Sequence, residues 1–317
     1  MIKKENDETL LKPKHLKIFL FLCFLFLFSF FIKCQCVENK SKSYTPSFTD
    51  NSKSTKQEIL VGIHPLHNPE RMQEYFGPII NQLNHQISDI QFTLESSKDY
   101  PDYNEKLKLK HFNVILPNPY QTILAQKYGY HVFAKMGDDF NFKGIILVRR
   151  DSSIKKIKDL KGKSIAFPAQ TALAASILPQ LFLYNHHIDL KKDIVIKYVG
   201  SQESSILSVF NKEVDAAGTW PPPWEAMKKE HPEFDKQLIT LFETESLINN
   251  SIMARNDLNP NLISKIKSVI LNLSETSEGK AILKRLELTK FEAANNEKYK
   301  VVESYIKQYN QIMGAEL

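Results

Sequence analysis

Past Cys36 the chain has no cysteine; Cys23, Cys34 and Cys36, all near the N-terminus, are its three. That excludes a disulfide framework, a thiol nucleophile and a thiolate metal site from residues 37–317. Glycine is scarce, ten residues in 317, and no Gly-rich phosphate loop, G-x-S-x-G or H-E-x-x-H motif occurs. Catalysis is thus left without a residue to name. Nor is one sign of charge in large excess. The chain has 42 bases against 36 acids, and six of the lysines and three of the acids fall in the first 36 residues. The remainder carries an excess of about three positive charges, too small to draw nucleic acid.

Long apolar runs are also missing, with one exception. Lys12, Lys14 and Lys17 precede Ile18 to Ile32, "IFLFLCFLFLFSFFI". A basic flank ahead of such a run reads as a secretory signal or a short uncleaved anchor over residues 1–36. The run ends in "FIKCQC", where Lys33 before Cys34 fits poorly with lipid attachment, so tethering and plain secretion both stay open. Residues 37–57, "VENKSKSYTPSFTDNSKSTKQ", are polar and aperiodic and read as a flexible linker.

From Glu58 the pattern alternates strand and helix. "EILVGIH" is a buried strand, and Asn68-Pro69-Glu70 then opens a helix with a cap, a proline at its first position and an acid in its first turn. Met72, Tyr75, Phe76, Ile79, Ile80 and Leu83 recur at helical spacing along one face. Further strands are expected at Ile90–Leu94, Phe112–Leu116, Gly144–Val148, Ser164–Phe167, Ile194–Val199 and near Val214–Ala217. The stretch from Asn261 to Gly314 reads as helical throughout. Alternation of this kind predicts an α/β architecture with mostly parallel sheets.

Ligands of open α/β sheets sit beyond the carboxyl ends of strands, where loops feed helix N-termini. Four junctions qualify: His64–Glu70, Pro117–Tyr120, Pro168–Thr171 and Gly200–Glu203. Each offers free backbone N–H groups with an amide, a hydroxyl or a phenol, and the first turn of a helix favours an anion. Each also reads as an ordinary capped helix start, which uses the same residue types.

The runs "LPNPYQTILA", "DLKGKSIAFPAQTALAA" and "YVGSQESSILSVFNKEVDAAG" resemble the phosphate/phosphite/phosphonate-binding proteins of bacterial ABC importers. The likeness extends over nearly all of residues 58–312. It implies a type II-like periplasmic-binding-protein fold: two α/β lobes, a hinged cleft and a helical C-terminus. Lobe 1 would comprise 58–145 and 247–317, and lobe 2 would comprise 146–246. The hinge would run near 142–147 and 246–253. It further implies a periplasmic, monomeric, non-enzymatic protein without a cofactor, whose partners are a small, anionic molecule and an ABC permease. A sensor that presents its closed form to a membrane kinase or cyclase is the alternative partner class, and an enzyme on the same fold is a remote one.

By that resemblance the ligand contacts are Tyr100, Asn118 and Tyr120 from one lobe and Gln170, Thr171, Ser201, Gln202 and Trp220 from the other. Two departures bear on the ligand. The hydroxyl-rich run that the family places at the lobe 2 helix start is here Gln170-Thr171-Ala172, and the family's Gly-Ser-His-Asp is here Gly200-Ser201-Gln202-Glu203. Trp220-Pro-Pro-Pro-Trp224 follows and reads as a stiff aromatic wall, or else as surface packing of a proline loop. Tyr100 likewise reads as a contact or as a core tyrosine. Fewer hydroxyls and more aromatic surface point to a ligand with one small anionic or polar group and an apolar or flat body. His64-x-x-His67 reads as a metal pair with His85 or His111 as a third ligand, or, since no acidic partner stands at an obvious spacing, as histidines that line a cleft or cap a helix.

Overall fold

The computed structural model describes residues 56–314. The segment read as a secretory signal or anchor and nearly all of the stretch read as a linker, residues 1–55, lie outside the described residues. The strands are β1 Gln57–Ile63, β2 Ile90–Ser96, β3 Val114–Leu116, β4 Tyr130–Met136, β5 Ile145–Arg149, β6 Lys163–Phe167, β7 Ile194–Tyr198, β8 Ala216–Thr219, β9 Leu238–Glu243, β10 Ser251–Arg255 and β11 Phe291–Ala293. The α-helices are α1 Pro69–Gln86, α2 Tyr100–Lys108, α3 Pro119–Lys127, α4 Leu178–Asn185, α5 Gln202–Phe210, α6 Pro221–Glu230, α7 Pro232–Gln237, α8 Pro260–Leu271, α9 Ser277–Arg285 and α10 Lys300–Met313.

The strands form two sheets, one of six in the order β11-β4-β10-β3-β1-β2 and one of five in the order β7-β6-β8-β5-β9. Apolar alternation drives this. β1 buries Ile59, Val61 and Ile63, and α1 lays Met72, Phe76 and Leu83 over the same core. The fold is therefore α/β with two lobes, as expected. The sheets are mixed rather than mostly parallel, however. β1 pairs parallel with β2 and β3, and β6 pairs parallel with β7 and β8. The strands flanking the two crossovers, β4, β5, β9 and β10, pair antiparallel. A chain that leaves one sheet for the other and later returns enters without a helical crossover in its own sheet, and nothing then imposes parallel pairing.

Those crossovers, residues 137–144 and 244–250, run side by side. Leu247 N donates to Phe142 O (2.8 Å), Asn249 Nδ2 to Gly137 O (2.7 Å) and Asn249 N to Asp139 Oδ1 (2.9 Å). Lys135, only 2% exposed, pairs with the same Asp139 (2.7 Å) and with Glu292 (2.9 Å).

The C-terminal region is not helical throughout. β11 interrupts it as an edge strand antiparallel to β4, because Phe291 gains more by entering the core than the short segment gains as helix. The last helix, α10, lies over α3 and reaches the second sheet, where Ile312 and Met313 join its core and Tyr309 donates to Gln180 Oε1 (2.9 Å).

Candidate functional site: the cleft between the lobes

The carboxyl ends of β1, β3, β6 and β8 converge on one small space of about 10 Å³, room for roughly one water-sized group. From the first sheet's side it is walled by His64, Tyr100, Asn118 and Asn250, with Phe142 from a crossover. From the second it is walled by Ala172–Ala175, Gln202 and Trp220. No lysine, arginine or carboxylate lines it.

Each polar wall group is held by a second contact. His64 follows β1, and its Nδ1 meets Leu116 O at 2.9 Å. A carbonyl only accepts, so Nδ1 carries the proton and Nε2 is a bare acceptor. Burial, with neighbouring His67 adding to it, lowers His64 to about 4, so the ring is neutral at physiological pH. Asn118 caps α3 in a capping box with Gln121. This leaves Nδ2 free to cross the cleft to Thr171 O (3.0 Å). Gln202 Oε1 accepts from Thr219 Oγ1 (3.0 Å), which orients the remaining amide hydrogens towards the Tyr100 hydroxyl. Burial raises Tyr100 far above its ordinary value, so it stays a neutral phenol.

After β6 the chain turns at Pro168–Thr171 and enters a π-type turn at Leu173–Ile177 that runs on into α4. Ser176 N and Ile177 N both donate to Ala172 O (2.8 and 3.2 Å). The N–H groups of Leu173, Ala174 and Ala175 precede these first helical bonds, and all three residues are buried against the cavity. They are the donors that a helix start leaves over.

The eight residues named by resemblance divide evenly. Tyr100, Asn118, Gln202 and Trp220 line the cavity; the other four do not. Tyr120 is buried in the first core, where burial raises its hydroxyl to about 12. Gln170 is exposed on the turn and is not among the residues that line the cavity. Thr171 contributes its backbone carbonyl rather than its hydroxyl. Ser201 is occupied in capping α5, accepting from Ser204 N (3.1 Å).

The aromatic wall is also revised. Trp220 packs edge-on against Phe142, with centroids 5.5 Å apart. Trp224 turns instead into the second lobe's own core with Ile206 and Val209. The three prolines between them are the first turn of α6, where proline's missing N–H removes donors that would otherwise lack partners.

Around the cavity runs a charged rim that sequence reasoning missed as a unit. His67 Nδ1 meets Glu203 Oε1 at 2.9 Å, and Arg71 reaches the same oxygen at 3.4 Å and also pairs with Glu230. Tyr75 donates to Glu230 Oε1 (3.3 Å). Burial pushes Glu203 upward. The hydrogen bond and charge of His67, with Arg71, outweigh that and leave the carboxyl below its ordinary value. Both histidines of His64-x-x-His67 are thus engaged elsewhere, and among the described residues no His/Cys/Asp/Glu cluster is placed to hold a metal. His64 was visible in the sequence as a junction residue; Asn250 and Phe142 carried no local signal.

Two hinge-linked α/β lobes meeting on a small shared cleft define a solute-binding protein of the type II-like class. Solved structures agree on the fold. The binding protein component of an ABC phosphonate transporter from Pseudomonas aeruginosa superposes with a TM-score of 0.74 at 16% identity, covering 81% of this chain and 88% of that one. PhnD1 from Prochlorococcus marinus, in complex with methylphosphonate, gives 0.75 at 21% identity, with 80% and 99% covered. The phosphonates-binding periplasmic protein of Escherichia coli is 26% identical over 156 residues, 48% of this chain and 46% of that protein, so the match spans about half the length of that curated relative. The chain belongs to the family described as "ABC transporter, phosphonate, periplasmic substrate-binding protein", whose model matches residues 61–299.

Proposed function

We propose that the protein is a periplasmic solute-binding protein that captures a small oxyanion between its lobes and hands it to an ABC permease, without chemistry of its own. The observation that carries this reading is that Leu173, Ala174 and Ala175, buried residues lining a cavity walled by both lobes, stand at a helix start that leaves their N–H groups without backbone partners. A phosphonate-like group is the first ligand class to expect. One face of the cavity is Phe142 and Trp220, which suits an apolar substituent on that group. With so little space between the walls, entry needs the hinge to open, and contacts to both lobes then favour the closed form. Membrane attachment rests on residues 1–36; among the described residues no helix is long and apolar enough to cross a membrane.

The test is a thermal-shift and calorimetric screen of the purified full chain. The panel holds phosphate, phosphite, alkylphosphonates, alkylsulfonates, carboxylates and aromatic acids. A ligand at a hundred times its Kd adds about 2.7 kcal/mol, which moves Tm by several degrees. A shift confined to oxyanions of phosphorus or sulfur supports the reading. A shift only with carboxylates or flat aromatic acids would replace the ligand class, and silence throughout would remove it.

A further inference from the structure

Donors and acceptors face each other across the cleft, and the acceptors are the unusual half. Asn250, 1% exposed, lines the cavity with a carboxamide oxygen that has no hydrogen-bond partner. Its amide nitrogen is turned away to Met136 Sδ (3.5 Å). His64 lines the same cavity with Nδ1 committed to Leu116 O. Its other nitrogen is left as a lone pair. A fully ionised oxyanion has nothing to give either group; it would set its own lone pairs against theirs, and no lysine or arginine lines the cavity to offset the second charge. An oxyanion that retains one proton suits both sides. Its ionised oxygens accept from the N–H groups of Leu173, Ala174 and Ala175, and its O–H donates to Asn250 Oδ1 or His64 Nε2.

We infer that the cleft selects the singly protonated monoanion of a phosphonate-type ligand over its dianion, with Asn250 and His64 reading the retained proton. The inference rests on the oxyanion reading of the cleft given above. Beside Asn250 stand Lys135, which donates to Met136 O and pairs with Asp139 and Glu292, Asp139 itself, which accepts from Asn249 N, and Tyr299, which donates to Asn249 O. His67 lies beside His64, Tyr100 stands edge-on to it at 6.1 Å between ring centroids, and Glu203 near Tyr100 is held by His67 and Arg71. Burial keeps the His64 ring neutral well below neutrality, so neither member of the reading pair changes charge in the neutral range.

The experiment is calorimetry on the full chain with two ligands of similar shape, from pH 5.5 to 8.5. Methylphosphonate loses its second proton near neutrality, whereas methanesulfonate is a monoanion throughout and has no proton to donate. Methanesulfonate reports any titration of the protein itself, so the ratio of the two Kd values isolates the ligand's proton. The expected ratio favours methylphosphonate at least tenfold at low pH and erodes about tenfold per pH unit once the ligand ionises. Asn250→Leu, checked for folding by circular dichroism, should flatten that slope; the wild-type series decides the matter if the variant does not fold. A ratio that stays constant, or that moves in methylphosphonate's favour as pH rises, overturns the inference and leaves the oxyanion reading standing. Failure of both ligands at every pH overturns both.

Discussion

Replacing Glu203 by glutamine keeps the side chain's shape and removes its charge, which isolates the rim from the cavity it surrounds. Glu203 stands on α5 of the second lobe, while His67 and Arg71 stand on the loop after β1 and on α1 of the first. Their contact exists only when the cleft is shut, so its loss is read in ligand affinity. The side chains are 10% exposed for Glu203, 5% for His67 and 15% for Arg71, so solvent screens them little. A hydrogen bond to a charged group is worth about 1.5–3 kcal/mol. Arg71 retains Glu230, which recovers part, and the net loss is about 1–2 kcal/mol, or ~5–30-fold in Kd. Titration of methylphosphonate into the parent, Glu203→Gln, His67→Ala and the double variant at pH 7 measures both the loss and the coupling. A Kd for Glu203→Gln within twofold of the parent, in a folded variant, would refute the reasoning. The sign with pH follows from the depressed carboxyl. Its contribution is fully present above the ordinary glutamate value of about 4.3 and is lost as pH falls through the lower value of the closed form. Parent and variant should therefore converge in strong acid, as the carboxyl protonates.

Gln202→Ala should weaken ligand binding tenfold or more, while Gln170→Ala, at an exposed position outside the cavity, should leave Kd within twofold; equal effects in calorimetry would misplace the site. Gly218→Ala sets a Cβ against the Phe167 ring and 2.5 Å from Ala175 O. Overpacking against backbone should cost about 2–3 kcal/mol in urea unfolding, and an unchanged midpoint would contradict the close seating of the π-type turn on β8. Tyr309→Phe removes the buried bond from α10 to Gln180 and should lower stability by about 1 kcal/mol, seen as a lower urea midpoint with an unchanged m-value.

Much of the frame was legible because short-range chemistry writes it. The apolar run of β1 and the Asn68-Pro69 and Asn118-Pro119 helix starts came through as read. The even split among the site residues has one cause. Sequence locates a strand-to-helix junction but not which of its neighbouring side chains turns inward. At Gln170-Thr171-Ala172 the exposed residue and the cavity residue are two positions apart. At Trp220 and Trp224 the spacing is one helical turn, yet one ring faces the cleft and the other its own lobe's core.

By itself, the sequence determined the α/β alternation, the helix caps and the lack of cysteine past residue 36. Those follow from backbone preferences, hydrophobic periodicity and residue identities within a dozen positions. Only the tertiary structure decided that Asn250 and His64 line one cavity, that Glu203 meets His67 across 136 positions, and that Phe291 enters the first sheet as strand. Such contacts are fixed when two sheets joined by a hinge close on one another, and an unpaired amide oxygen in that space looks, in sequence, like any other asparagine.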